Sequence, residues 1–171
     1  IRDVAVTGVQ TCALPIWSIV SDIAGTTRDI IREKITLRGK TSTLTLRLED
    51  TAGLRTTDNP IEQIGIQRTL KACEKSDLVL FIVDPHTPIP LIQEQWDEIQ
   101  KNASFRLSEK TIGIITKSDC TEQEVITETQ HFLNESLGIK TSVQTSAVKN
   151  HGISDAIESI IHASEIGRAH V

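Results

Sequence analysis

The sequence predicts an α/β domain built on one open, mostly parallel sheet. Leu78-Val79-Leu80-Phe81-Ile82-Val83 is a continuous apolar run of strand length, ended by Asp84-Pro85, and Thr111 to Thr116 forms a second. Runs without polar alternation suit strands buried on both faces of a parallel sheet. From Leu78 to Ala163 strand-like and helix-like stretches alternate, which implies right-handed crossovers. No internal repeat or low-complexity tract breaks the alternation.

Each element has its own signal. Ser18 to Asp29 reads as a short apolar step, Ile19-Val20, followed by a loop. Ile30 to Arg38 alternates into a strand, Gly39-Lys40-Thr41 marks a turn, and Thr43 to Glu49 returns as the partner strand of a hairpin that leads into Asp50. Thr56 to Pro60 is a polar, Pro-bounded loop. Ile61 to Lys75 reads as a helix with Ile61, Ile64 and Leu70 on one side. Leu91 to Asn102 is a helix with Leu91, Ile92, Trp96 and Ile99 as its core stripe, and Trp96 reads as core rather than as a ligand platform. Glu122 to Leu137 is a helix with Val125, Phe132 and Leu133 inward. Ser142 to Thr145 is a short strand, and Gly152 to Ala163 a last helix with Ile153, Ile157 and Ile160 on one face.

Composition narrows the function classes. The 171 residues suffice for one domain with a real core. A net charge of −5 implies no broad basic face for nucleic acid. No apolar run reaches membrane-spanning length and no signal-peptide pattern is present, so a cytoplasmic location is expected. Cys12, Cys73 and Cys120 lack metal-ligand spacing, and an odd count suits a reducing compartment. The five histidines have no metal partner at helical or hairpin spacing and read as surface residues. The chain contains no Met and reads as a fragment. Ile1-Arg2-Asp3 with Val6 to Ile16, and Glu165 to Val171, resemble in-frame translations of the two adapters used in short-read sequencing. The expected organisation is therefore a non-native segment at 1–17, the domain at 18–164 and a non-native segment at 165–171. Val4 to Val9 can still add a strand.

Four motifs lie at the ends of the strands, where open α/β sheets bind ligands. Asp50-Thr51-Ala52-Gly53 places a carboxylate at a strand end, suited to a phosphate-bound Mg²⁺, with the Gly53 N–H turned to a terminal phosphate. Gly25-Thr26-Thr27-Arg28-Asp29 supplies a loop with hydroxyls for the same metal and phosphate. Thr116-Lys117-Ser118-Asp119 follows the second apolar run. A carboxylate there accepts from guanine N1–H and N2–H₂ together, an edge adenine lacks, and the Lys117 stem can lie over the base. Ser146-Ala147 follows the last strand, with backbone N–H groups available to guanine O6. Alone, Asp-x-x-Gly is a common turn, Ser146-Ala147 an ordinary helix cap, and Thr26-Thr27 a small polar turn. In this order and spacing they form the switch and base-reading logic of a GTPase. Glu62 is placed to orient an attacking water, or else is a first-turn Glu favoured by its helix dipole. Arg55 more often is a solvated charge than a catalytic group. The segment that should wrap the phosphates, Val6 to Ile16, has one Gly, no Lys and a Pro, and cannot do so. The expected fold is thus P-loop NTPase-like (Ras-like), with its phosphate loop and possibly its first strand missing.

Ser21 to Asp29, Asp50-Thr51-Ala52-Gly53-Leu54-Arg55 and Ile61-Glu62-Gln63-Ile64-Gly65-Ile66 together resemble the G domains of the bacterial tRNA modification GTPases, the MnmE (TrmE) family, over about Ser18 to Ala163. The first two blocks are shared with GTPases such as Der; the third points to MnmE. The resemblance implies a K⁺-stimulated GTPase that dimerises through its G domains, using GTP, Mg²⁺ and K⁺. It assigns Glu62 and Thr27 to catalysis and Gly25, Thr26, Thr27, Asp50, Thr51, Ala52, Gly53, Thr116, Lys117, Asp119, Ser146 and Ala147 to the nucleotide. It assigns Thr27 and Asp50 to Mg²⁺, and the backbone of Ile19, Val20, Asp22 and Ile23 to K⁺. It further implies a flavoprotein partner of the MnmG type and action on the wobble uridine of tRNA with a folate-derived carbon. The sequence departs from the family at Thr116, where Asn is usual. The missing phosphate-loop Lys and its K⁺-ligating Asn predict weak GTP binding by this chain. The alternatives are a Der-like ribosome-assembly GTPase domain, a non-hydrolysing interaction module, or an unstable fragment.

Overall fold

The computed structural model describes residues 2–8, 31–50, 70–103 and 106–166. Six strands are present among them: β1 (Arg2–Gly8), β2 (Ile31–Arg38), β3 (Thr43–Asp50), β4 (Leu78–Val83), β5 (Thr111–Ile115) and β6 (Thr141–Gln144). The helices are α1 (described over residues 70–75), α2 (Ile89–Asn102), α3 (Gln123–Glu135) and α4 (Ile153–Ile166), with a 3₁₀ turn at Leu107–Lys110. The sheet runs β2-β3-β1-β4-β5-β6. Every pairing is parallel except the β2–β3 hairpin. The α/β sheet expected from the sequence is the observed one.

The slot left open at the chain start is filled. β1 lies between β3 and β4, with Val6 opposite Asp50 on one side and Leu80 on the other. Val4 and Ala5 are fully buried, one on each face of the sheet. Burial of a side chain such as Val is worth about 1.5–3 kcal/mol, which favours any β-prone segment that reaches this slot. Arg2 Nη1 meets Asp77 Oδ1 at 3.0 Å and the Asp77 N–H donates to the Asp3 carbonyl at 2.8 Å, tying β1 to the start of β4.

β4 shows why an unbroken apolar run was needed. All six residues are buried. Side chains alternate across a strand, so Val79, Phe81 and Val83 enter the core under α2 and α3, with Ile92, Trp96, Ile99 and Leu133. Leu78, Leu80 and Ile82 enter the other, with Leu37, Leu44, Leu46, Ala156, Ile160 and Ile161. Phe81 and Trp96 meet edge to face, centroids 5.3 Å apart at 68°. Gly113 in β5 lets α3 come close: a Cβ there would lie 2.9 Å from Leu133 Cδ1.

Two helix stripes differ from expectation. Leu91 is 49% exposed, whereas Ile92, Trp96 and Ile99 are buried. A stripe of positions i, i+4 and i+7 leaves its neighbour at i−1 about 100° round the helix. In α3 the buried stripe is Ile126, Thr129 and Leu133, with Val125 and Phe132 only half-buried. Thr129 is tolerated in the core because its hydroxyl donates to the Val125 carbonyl at 2.8 Å. His86, His131, His151 and His162 are exposed, as expected. Among the described residues no helix is long and apolar enough to cross a membrane.

Candidate functional site

The parallel strands carry their carboxyl ends to one rim. Register sets Asp50 level with Val6, Gly8 with Ile82, Val83 with Ile115, and Ile115 with Gln144. Asp50, the Thr116–Asp119 loop and Ser146-Ala147 therefore all stand at carboxyl ends of strands that run the same way, with Asp50 on the rung of Leu80 and Ile112, four residues before Thr116. From β3 to β5 is three strand spacings, about 14 Å. Base at one end and terminal phosphate at the other, a nucleoside triphosphate bridges such a span. Gly25, Thr26, Thr27, Thr51, Ala52, Gly53, Glu62, Ile19, Val20, Asp22, Ile23 and Arg55 lie outside the described residues.

The Thr116–Asp119 loop is held by threonines that close one strand end onto the next. The Thr116 N–H and hydroxyl both donate to the Val83 carbonyl, at 2.9 and 3.2 Å. The Thr145 N–H and hydroxyl repeat this on the Ile115 carbonyl, at 2.7 and 3.2 Å. Thr116 thus braces the loop against β4 although it lacks the amide of an Asn. Lys117 sits at φ +56°, a left-handed conformation uncommon for a residue with a side chain. Its carbonyl accepts from the Cys120 N–H at 3.2 Å and the Thr121 hydroxyl at 2.8 Å, which folds the loop back on itself. The Ser118 N–H donates to the Thr145 carbonyl at 3.1 Å, fastening the loop to β6.

Asp119 is exposed and oriented by its neighbour. Its Oδ1 accepts the Ser146 hydroxyl at 2.5 Å, and Ser146 Oγ accepts the Lys149 N–H at 3.0 Å. The Ser146 hydrogen bond, with a smaller contribution from the Lys149 charge, holds the Asp119 carboxyl below the usual carboxylate range. At neutral pH it is ionised and an acceptor. The Ser146 N–H is already bonded to the His151 carbonyl at 2.9 Å, and His151 returns its N–H to Ser146 at 3.1 Å. Of the two amides expected to face guanine O6, that of Ser146 is occupied, leaving the exposed Ala147.

Sequence reasoning missed Asp84. The Lys117 ammonium donates to Asp84 Oδ2 at 2.7 Å, and His86 brings its N–H and its Nδ1 to Oδ1, each at 3.0 Å. The Asp84 side chain is 9% exposed and that of Lys117 41%. Burial pushes the Asp84 carboxyl up, but the Lys117 and His86 hydrogen bonds together outweigh it and hold the group below its ordinary value. Asp84 directly follows β4, and Asp50 is the last residue of β3. An acidic residue closing an all-apolar run was the available signal. Among the described residues no group of three or more His, Cys, Asp or Glu is arranged to hold a metal by itself.

A mostly parallel sheet with its loops at the strand carboxyl ends is the architecture of the open α/β domains that bind ligands there. Residues 13–118 match the family described as 50S ribosome-binding GTPases. The chain belongs to that GTPase family. It is 36% identical over 138 residues to a tRNA modification GTPase MnmE of Staphylococcus epidermidis, covering 81% of this chain and 27% of that protein. The MnmE of Thermotoga maritima is 36% identical over 150 residues, covering 86% and 30%. The chain thus spans under a third of the length of these relatives. Among solved structures, Aquifex aeolicus Era bound to GDP·AlF₄⁻ superposes with a TM-score of 0.68 at 18% identity, covering 94% of this chain and 56% of that one. The G domain of the T. maritima FeoB iron transporter gives 0.63 at 22% identity, covering 94% and 97%. At these identities the two structures speak to the fold alone.

Proposed function

We propose that this chain is the GTP-binding and GTP-hydrolysing G domain of a tRNA modification GTPase that acts on the wobble uridine. One observation carries the reading: Asp50, the Thr116–Asp119 loop and Ser146-Ala147 lie on one rim at strand carboxyl ends. The similarity to MnmE proteins supports the tRNA assignment. Asp119 reads the guanine edge with its ionised carboxylate, held by Ser146. Lys117, anchored to Asp84, flanks the base. Asp50 and Thr27 hold Mg²⁺; a carboxylate and a hydroxyl are the hard oxygen donors this ion takes. The backbone of Ile19, Val20, Asp22 and Ile23 covers K⁺, again with oxygen donors. At these positions the two cations would supply positive charge against the phosphates. Thr27 braces the terminal phosphate and Glu62 orients the attacking water. Gly25, Thr26, Thr51, Ala52 and Gly53 line the phosphates. In the whole protein the G domains pair with each other and a flavoprotein of the MnmG type takes part, in the cytoplasm.

Val6 to Ile16 offers no Lys and one Gly, so this chain binds GTP weakly and turns it over below detection. Fluorescent GTP titrated into this chain, and into one carrying a Gly-x-x-x-x-Gly-Lys-Ser segment in place of those residues, tests both claims. Tight binding by the restored chain alone is expected, and Asp119→Asn should weaken that binding by roughly tenfold or more. Equal tight binding by both chains overturns the impairment. No binding by either overturns the GTPase reading.

A further inference from the structure

We propose that the solvent face of the β2–β3 hairpin is a docking surface for the phosphate backbone of double-helical RNA. The choice of RNA over DNA rests on the tRNA reading above; the cationic surface does not. Residues 34–47 contain Lys34, Arg38, Lys40 and Arg47 and no Asp or Glu, in a chain of net charge −5. The overall charge conceals this local stripe.

Geometry puts the cations on one face. Leu37, Leu44 and Leu46 are buried in the core that α4 covers. The alternate positions Lys34, Thr36, Arg38, Thr43 and Arg47 are exposed. Register sets Lys34 opposite Arg47, Thr36 opposite Thr45 and Arg38 opposite Thr43. Like charges directly opposite each other destabilise a hairpin. Guarding the β2 edge against strand addition would account for Lys34 and Arg38, but Arg47 is on the interior strand β3. Three acidic groups lie nearby, Glu49 on the same face with a partner of its own, Asp3 and Glu158, against Lys34, Arg38, Lys40 and Arg47. Asp3 Oδ1 lies 3.4 Å from Arg47 Nη1, and Glu158 accepts the Lys40 backbone N–H. Among the described residues Lys34 and Arg38 have no ion pair.

The chemistry of the face selects the partner. Its side chains are Lys, Arg and Thr, with one carboxylate, Glu49, two residues beyond Arg47 and no aromatic or large aliphatic group. Protein interfaces draw their affinity from buried aromatic, Arg and aliphatic anchors seated in pockets, and single-stranded nucleic acid needs aromatic platforms for its bases. Cations interleaved with hydroxyl donors suit phosphates without reading sequence. Same-face residues along a strand repeat every ~6.7 Å, close to the phosphate spacing along one RNA strand.

Fluorescence anisotropy with a labelled RNA stem-loop, a DNA hairpin of the same sequence and polyglutamate, at graded salt, tests this. The proteins are the full 171-residue chain, Lys34→Gln/Arg38→Gln, Lys34→Gln alone and Arg38→Lys, each checked for fold by circular dichroism. RNA is expected to bind best. The slope of log affinity against log salt should become shallower by about 2 in the double variant and about 1 in Lys34→Gln, and stay unchanged in Arg38→Lys. If the double variant unfolds, the single variant is read alone. An unaltered slope in Lys34→Gln and the double variant overturns the proposal, as does equal binding of polyglutamate or of DNA. GTP binding by the chain with the restored phosphate loop is measured in parallel. Its failure with the RNA slopes intact counts against the GTPase reading and not against this surface.

Discussion

At the carboxyl ends of β4, β5 and β6 the polar side chains bond to one another, whereas on the β2–β3 hairpin they face water. Asp84 holds Lys117, Ser146 holds Asp119, and Thr116 and Thr145 each close onto the preceding strand. On the hairpin, the 3.3 Å contact between the Thr36 and Thr45 hydroxyls and the Arg47–Asp3 pair join outward side chains, while Lys34 and Arg38 have no ion pair among the described residues. The first region is pre-organised: its groups are held before a ligand arrives, which lowers the ordering cost of binding. The second relies on long-range charge, which is weaker per contact and sensitive to salt. One sheet thus carries a rim of mutually bonded polar groups and a face of exposed cations.

Substitutions should separate the two regions by size and by sign. The largest effect is expected at the rim. Gly152 has φ +71°, and a Cβ there would lie 2.0 Å from the Gln144 carbonyl oxygen, a backbone atom that cannot step aside. Gly152→Ala should cost ~3 kcal/mol or more, read as a fall in Tm and in the denaturation midpoint. Less than about 1 kcal/mol would show that the Ser146–His151 loop yields easily.

Asp84→Asn comes next, at about 1 kcal/mol, because the Lys117 end of the pair is partly solvated. Asp84 has a depressed carboxyl. Its contribution is therefore full above the unfolded value, about pH 4, and is lost as pH falls through the lower folded value. The stability gap between the chain and its Asn variant should be constant at neutral pH and close in stronger acid. A gap independent of pH would mean that the ion pair contributes nothing.

On the hairpin the effects shrink. A Cβ at Gly39 would meet Ile161 Cδ1 at 2.7 Å and Glu158 Oε1 at 2.9 Å, the mobile ends of flexible side chains. Gly39→Ala should cost about 1 kcal/mol or less in chemical denaturation, since those ends can rotate away. Lys34→Thr should reverse the sign. Removing a cation opposite Arg47 should stabilise by a few tenths of a kcal/mol at low salt, with the gain disappearing at high salt. A loss of stability there would show that Lys34 has a structural partner and would remove the contrast between the regions.

Much of this is legible in the sequence. β4 and β5 were legible because burial on both faces demands an unbroken apolar run, and the hairpin because burial on one face demands alternation. Thr116–Asp119 and Ser146 stood out as motifs. The phase of two helix stripes was misjudged, at Leu91 and at Val125, because one apolar residue beside a stripe looks the same in sequence as one within it. Asp84 went unrecognised because its partner Lys117 is 33 residues away and no local pattern joins them. The hairpin charge was hidden by averaging over an acidic chain.

The order of residues dictated which segments extend, which coil and which side chains are polar, since those choices follow from local propensity and from periods of 2 and 3.6. Folding alone decided where the segments come to rest. The order β2-β3-β1-β4-β5-β6 joins strands distant along the chain, and their hydrogen-bond ladders set which ends stand level. Because side chains change face at every residue, a slip of one position would have turned Val79, Phe81 and Val83 to the opposite side and drawn Asp84 away from Lys117. Registry between distant strands is a property of the packed sheet, and it placed the carboxylates on one rim and the cations on one face.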